Sequence, residues 1–374
     1  MTNLEITTQR LANQHLTTPT FEKPDEVVAA LGAVQAQDYA GAKWALAQRM
    51  KGGSTDAALD EQFNKGTILR THLSRPTWHF VTPADIRWML ELTAPRVNAF
   101  NAFMYRKLEL DDAVFKKSNA VISKALRGGK QKARAELASE LERAGISTKD
   151  GVRLGYLVMR AELEGVVCSG ARKGKQFTYA LLEERAPPVK KLKRDEALYE
   201  LTRRYFLTRG PATAQDFVWW SGLTMADAKK GIEMCASLFE KEQIGEQIFW
   251  FRASAPLSIK KAPTAYLLPN YDEYFIGYKD RSAIGERVQA RTPEELNRAL
   301  FVHIIFVNGQ IVGGWRRTLK KDSVRAELDL LAPLTKTEAR AVADAAGEYA
   351  KFLGLALELA EKAFDGKREV GLFS

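Results

Sequence analysis

Cysteine and histidine are scarce in this chain. Two cysteines, Cys168 and Cys235, and four histidines, His15, His72, His79 and His303, are spread over 374 residues. Two distant thiols exclude a disulfide framework and a cysteine-built zinc module, and they fit a reducing cytoplasm. Four scattered histidines leave no His-rich metal site. No apolar run approaches the ~20 residues that a spanning helix needs. The start of the chain, with Leu4 and Ile6 among polar residues, lacks a charged stretch followed by an apolar block. No secretory signal and no membrane partner are therefore expected. Also missing are the G-x-x-x-x-G-K-[ST] phosphate loop, the G-x-S-x-G elbow and the H-E-x-x-H zinc pair.

What the chain does have is localised positive charge. Lys and Arg number 56 against 46 Asp and Glu, a formal net charge of +10. Residues 116–205 carry 21 basic and 11 acidic side chains, which accounts for the whole excess. A basic excess held in one segment attracts polyanions, because each neutralised phosphate releases a condensed counterion. A solvated lysine-rich face is the competing explanation.

The same segment has a readable order of elements. Lys132–Ala144 places Ala135, Leu137, Ala138 and Leu141 on one helical side and stops at Gly145. Val152–Leu163 is a second amphipathic helix, ended by Gly165. Two β-rich runs then flank the turn Arg172-Lys173-Gly174-Lys175, a hairpin with a basic tip. Helix, turn, helix and basic hairpin is the winged-helix order, in which the second helix enters a groove and the hairpin reaches phosphates.

The order repeats. After the basic, Pro-rich linker around Pro187 and Pro188, Leu198–Thr208 reads as helix. Thr213 with Asp216, and Thr224 with Asp227, give the T-x-x-D spacing of two helix starts around the turn Ser221-Gly222-Leu223. Leu238–Phe251, broken at Gly245, is the following hairpin. An earlier copy is readable in helices at Gln9–Gln14 and Asp25–Val34, a hairpin turning near Ser74-Arg75-Pro76, and a helix start at Thr82 with Pro83 and Asp85. The C-terminal part differs. A helix is predicted from Thr292, a β-meander turns at Asn308-Gly309, alternation resumes over Val324–Leu330, and a long helix covers Thr335–Leu357. The expected fold is α+β, mainly α. It has three tandem winged helices at 1–115, 116–190 and 191–258, then a C-terminal β-meander and helix at 259–374.

Polar residues in unusual places mark candidate sites. An apolar helix runs out at Val34-Gln35-Ala36-Gln37-Asp38. On an extended segment, alternation aims Gln35 and Gln37 the same way; a polar helix end capped by amides is the plainer reading. The hairpin around Arg70–His79 holds two of the four histidines, and on a strand Arg75, Thr77 and His79 share a face. That face is also explained as the polar outside of a hairpin. A third stretch, Leu267–Arg281, clusters aromatics, acids and bases, and alone would pass for a domain-docking loop.

Together these motifs resemble the AlkZ-like winged-helix DNA glycosylases, which unhook alkylation-derived interstrand crosslinks. The resemblance is carried by Val34-Gln35-Ala36-Gln37, similar to that family's Gln-hydrophobe-Gln motif. It is supported by R-x-T-x-H at Arg75, Thr77 and His79, by the stretch from Leu267 through Asp272 to Asp280 and Arg281, and by Gly313–Arg317. The turn departs from the family at Pro76, where a small residue is expected. The resemblance implies a C-shaped basic surface around double-stranded DNA, a monofunctional DNA glycosylase without metal or cofactor, and a monomer in the nucleoid-containing cytoplasm. It implies that Gln35 and Gln37 hold the attacking water. Arg75, Thr77, His79, Asp272, Arg281, Arg316 and Arg317 become candidates for DNA binding or water positioning, and Arg172, Lys173 and Lys175 for phosphate contact.

The chemistry agrees with the residue types. An N7- or N3-alkylated purine is already cationic and leaves readily, so the site must mainly place a water and stabilise oxocarbenium charge. A carboxamide oxygen orients a water but is no strong base. Asp38 faces away from its neighbours on an extended segment and is a helper at most. The alternative is a non-catalytic winged-helix DNA-binding protein or transcriptional regulator. It explains the basic wings equally well and leaves Gln35, Gln37 and Leu267–Arg281 unexplained.

Overall fold

The computed structural model describes residues 1–149, 151–252, 263–288 and 303–362. The chain opens with helices α1 (Asn3–Asn13) and α2 (Pro24–Leu31), then the two-residue strand β1 (Val34–Gln35). Gly32, at φ 81°, terminates α2 in a conformation that side chains resist. The expected helix through Val34 therefore ends early, and Gln35 lies on a strand. Helices α3 (Tyr39–Ala47) and α4 (Asp56–Lys65) lead to the hairpin β2 (Leu69–His72) and β3 (Trp78–Val81). β3 is central in the sheet β1-β3-β2. Thr82 and Asp85 bond to each other in a turn, and α5 (Ile86–Lys107) starts after it.

The basic segment contains α6 (Asp112–Leu126), β4 (Lys132–Ala133), α7 (Arg134–Arg143), α8 (Gly151–Leu163), β5 (Val167–Ser169), β6 (Thr178–Leu181) and the short α9 (Leu182–Arg185). Its sheet has the order β4-β6-β5. Ile122, Leu137, Leu141, Leu157, Val167 and Leu181 pack a core within residues 105–181.

Helices α10 (Arg194–Arg209), α11 (Ala214–Ser221) and α12 (Met225–Met234) precede the hairpin β7 (Glu240–Ile244) and β8 (Gln247–Phe251). Both T-x-x-D pairs form reciprocal capping boxes, and Gly222 is left-handed at φ 72° between the two helices. Next come β9 (Ala265–Leu268), α13 (Glu273–Ile276), β10 (His303–Val307), β11 (Gln310–Leu319), β12 (Ser323–Leu330), α14 (Lys336–Leu353) and β13 (Ala356–Lys362). Asn308 and Gly309 both take positive φ in the β10–β11 turn, as a two-residue hairpin requires. The helix predicted from Thr292 lies outside the described residues. The long C-terminal helix stops at Leu353 because Gly354 is left-handed; the chain then returns as β13, parallel to β12.

The cores do not follow chain order. Leu31, Val34, Phe63 and Phe80 share one cluster with Leu267, Phe306, Trp315 and Tyr349. Leu69, Met89 and Val97 share another with Leu201, Phe217 and Trp220. The early hairpin thus contributes to both clusters, Phe80 to one and Leu69 to the other. Among the described residues no helix is long and apolar enough to cross a membrane.

Candidate active site

The site is built on the β1-β3-β2 sheet. Gln35 pairs with His79, and His79 pairs with Thr71 on the other side. Residues directly opposite in a ladder point to one face, so Gln35, His79 and Thr71 form a row; all three are buried. His79 Nδ1 lies 3.0 Å from the Thr77 carbonyl. A carbonyl only accepts, so Nδ1 carries the proton and Nε2 is left as an acceptor. Burial, helped by the Arg75 charge, pushes the His79 pKa down to about 4, so the ring is neutral.

The two glutamines differ in environment. Gln35 is 6% exposed, and its Oε1 accepts from Arg75 Nη2 at 3.2 Å. Gln37 is exposed at a bend before α3. The ladder continues only through the Ala36 N–H, which donates to the Trp78 carbonyl at 2.7 Å. The shared face expected from the sequence therefore becomes one buried and one exposed amide.

Beneath this row lies a residue that sequence reasoning passed over. Glu273 is fully buried, and its Oε1 accepts from the Gln35 backbone N–H at 2.9 Å. Its Oε2 accepts from Arg209 Nη2 at 2.6 Å and from the Trp220 indole at 2.8 Å. Burial opposes its ionisation, yet Arg209 and the Gln35 N–H hold it below the usual carboxylate range. Arg209 also donates to the carbonyls of Leu31 and Ala33, where α2 ends. One buried ion pair thus fixes the backbone on both sides of Gly32 and up to Gln35. The available signal was a second acid directly after Asp272 in an aromatic-rich stretch.

Arg75 does not sit on a strand with Thr77 and His79 as expected. It takes φ 51° in the turn, where the Thr77 N–H donates to the Arg75 carbonyl at 2.6 Å. This is a three-residue turn centred on Pro76, whose fixed φ suits the inverse γ conformation. Thr77 Oγ1 is used within the turn, donating to the Ser74 carbonyl. Arg75 reaches the site from outside the ladder. Its guanidinium carbon lies 5.3 Å from the Trp219 ring centroid, and that of Arg281 lies 5.5 Å from the same ring.

Burial and pairing distinguish the other candidates from one another. Asp272 is 0% exposed, caps α13 through the Tyr274 N–H, and is held by both terminal nitrogens of Arg49 at 2.8 and 2.9 Å. Both of its oxygens are thus used inside the protein. Arg281 is 4% exposed and donates to the Phe275 carbonyl, so it supports the site from below. Arg317 pairs with Asp38 at 3.2 Å and donates to the Tyr349 hydroxyl, whereas Arg316 is exposed. Asp38 itself caps α3 through the Gly41 N–H. At the basic hairpin, Arg172 turns inward onto Asp60 and lies 4.8 Å over Tyr39. Lys173 is exposed and pairs with Glu136, and Lys175 is exposed. Among the described residues no three His, Cys, Asp or Glu side chains are grouped to hold a metal ion.

The fold matches that of a solved DNA glycosylase. The structure of Streptomyces sahachiroi DNA glycosylase AlkZ superposes with a TM-score of 0.78, covering 96% of this chain and 100% of that one at 18% identity. The model of the AlkZ-like family, described as DNA glycosylase AlkZ-like, matches residues 28–352. The chain belongs to this AlkZ-like family of DNA glycosylases, and DNA is the partner that membership implies. No curated protein matches the sequence.

Proposed function

We propose that the protein is a monofunctional glycosylase for cationic N-alkylated purines, N7 or N3 adducts, including those within interstrand crosslinks. The observation that carries this reading is the charge state around Gln35 and Gln37. Both nearby carboxylates, Glu273 and Asp38, are committed to arginines. His79 is neutral and already donates to a carbonyl. Such a site is poor in acid–base power and rich in fixed dipoles, which suits a leaving group that needs no protonation.

In this reading Gln37, exposed at the bend, and the remaining lone pair of Gln35 Oε1 orient the water toward the anomeric carbon. Arg75 positions Gln35, and Asp38 stays paired with Arg317 beside the bend. The helix pairs α7–α8 and α11–α12, each followed by a hairpin, support the second and third of three tandem winged helices on a C-shaped DNA-binding surface. Lys173, Lys175 and Arg316 are its exposed phosphate contacts. The proposed winged-helix boundaries are 1–115, 116–190 and 191–258, with the C-terminal unit at 259–374. The protein acts as a monomer, without metal or cofactor.

The test is abasic-site formation on duplexes bearing N7-methylguanine or uracil. Excision of the methylated base and none of uracil is expected. The Gln35→Ala, Gln37→Ala double variant should bind with the same salt dependence and lose excision. Binding without any abasic product from the unaltered chain points instead to a DNA-binding protein that performs no chemistry.

A further inference from the structure

The opposite face of the β1-β3-β2 sheet carries a second cleft. Its volume is about 450 Å³ and it is lined by Arg70, Trp78, Phe177, Tyr179, Arg134 and Lys175, with no carboxylate among its walls. That volume falls in the range of small-ligand pockets. The floor is mostly aromatic and the rim is cationic.

Arg70 is the unusual member. It is only 7% exposed. Its guanidinium carbon sits 4.3 Å from the Trp78 ring centroid and 4.5 Å from that of Phe177. Nε donates to the Ala36 carbonyl at 3.0 Å. Among the described residues its two terminal nitrogens have no hydrogen-bond partner. The buried carboxylate of Glu162 acts on it through space but is bonded to His72. Burial lowers the Arg70 pKa to about 10, which leaves it cationic. Arg70 therefore offers a largely buried cation with unspent donors to the cleft, where an anion can take them.

The cleft also touches the catalytic segment. The Ala36 N–H donates to the Trp78 carbonyl and the Ala36 carbonyl accepts from Arg70. Two lining residues therefore hold the peptide between Gln35 and Gln37.

We propose that this cleft is a subsite for one unpaired nucleotide of the bound DNA. Its phosphate meets the terminal nitrogens of Arg70 and the rim cations Arg134 and Lys175. Its base lies against the rings of Trp78, Phe177 and Tyr179. An excised cationic purine would be repelled by Arg70, and free phosphate would leave the aromatic wall in water. The inference rests on the DNA glycosylase reading and adds a place where strand distortion is recognised.

The test compares binding of the full chain to a paired duplex and to the same duplex with a one-nucleotide bulge bearing 2-aminopurine. Base–aromatic contact strengthens binding, so the bulge should bind roughly tenfold tighter, with quenched 2-aminopurine fluorescence. The Arg134→Gln, Phe177→Leu variant should lose both the preference and the quenching. Should that pair fail to fold, Arg134→Gln alone, at an exposed position, should cut the preference severalfold. A bulge preference that is absent, or that persists unchanged in the variants, overturns the subsite. If the unaltered chain excises N7-methylguanine yet is indifferent to the bulge, only the subsite fails. If it binds neither DNA, the glycosylase reading falls with it.

Discussion

Gln35 is held at both ends: its backbone N–H donates to Glu273 at 2.9 Å, and its side-chain oxygen accepts from Arg75 at 3.2 Å. Gln37, two residues on, is exposed. The two amides should therefore separate stability from activity. Gln37→Ala should change unfolding free energy by no more than about 0.5 kcal/mol, as surface substitutions do, while lowering the excision rate. Gln35→Ala strips a partner from a partly buried guanidinium and should cost about 1–3 kcal/mol. Urea titrations with single-turnover excision on N7-methylguanine duplex check both. A Gln37→Ala enzyme with full excision would remove that amide from the chemistry.

The Glu273–Arg209 pair gives a sharper stability prediction. Both side chains are fully buried, and the carboxylate also accepts from Trp220. Removing one charge of a buried pair leaves the other uncompensated and costs about 3–5 kcal/mol. Glu273→Gln should thus lower the melting temperature strongly. The Glu273→Gln, Arg209→Met double variant should be less destabilised than the sum of the two singles. A thermodynamic cycle from urea unfolding measures the difference. Simple additivity would mean that the two groups do not interact.

The sequence made some parts of this arrangement legible and hid others, for physical reasons. The capping boxes at Thr213 and Thr224, the left-handed Gly222 and the Asn308-Gly309 turn are local, because each is fixed by residues within four positions. The place of Gln35 beside His79 was half legible. The hairpin could be read, but the short strand that joins it is created by Gly32 stopping a helix and by long-range bonds from Arg209. Glu273 was out of reach because its partners Gln35, Arg209 and Trp220 lie 53 or more positions away. Charge did not show that Arg172 is paired, nor did the family resemblance show it for Arg317 and Asp272. A list of basic and acidic residues does not say which are already paired, and Asp60, Asp38 and Arg49 take these three.

The basic hairpin tip offers a test of that last point. Arg172 is paired with Asp60 and stacked near Tyr39, whereas Lys173 and Lys175 are exposed. Neutralising a lysine that contacts a phosphate flattens the slope of log affinity against log salt by about 0.9. Lys175→Gln should show that full change. Lys173→Gln should show less, because Glu136 already competes for its charge. Arg172→Gln should leave the slope nearly unchanged and reduce stability instead. Equal slope changes at all three positions would mean that the Arg172–Asp60 pair opens when DNA binds.

Acid stability should report the buried histidines. Burial lowers the pKa of His79 to about 4, and it lowers that of His303, beside Arg317, to about 4 as well. In the unfolded chain both return to about 6.5. Between these values the unfolded state binds more protons than the native state, so stability is full above about pH 6.5 and falls as the pH drops toward 4. Each ring contributes a slope of up to about 1.4 kcal/mol per pH unit. Urea unfolding at pH 7, 6 and 5 should show this decline, and His79→Gln should flatten it by about one proton. The variant should be less stable than the parent at pH 7 and lose less on acidification. Parallel curves for parent and variant would show that His79 takes up its proton at the same pH in the folded and unfolded chain, and would overturn the lowered pKa assigned to the ring.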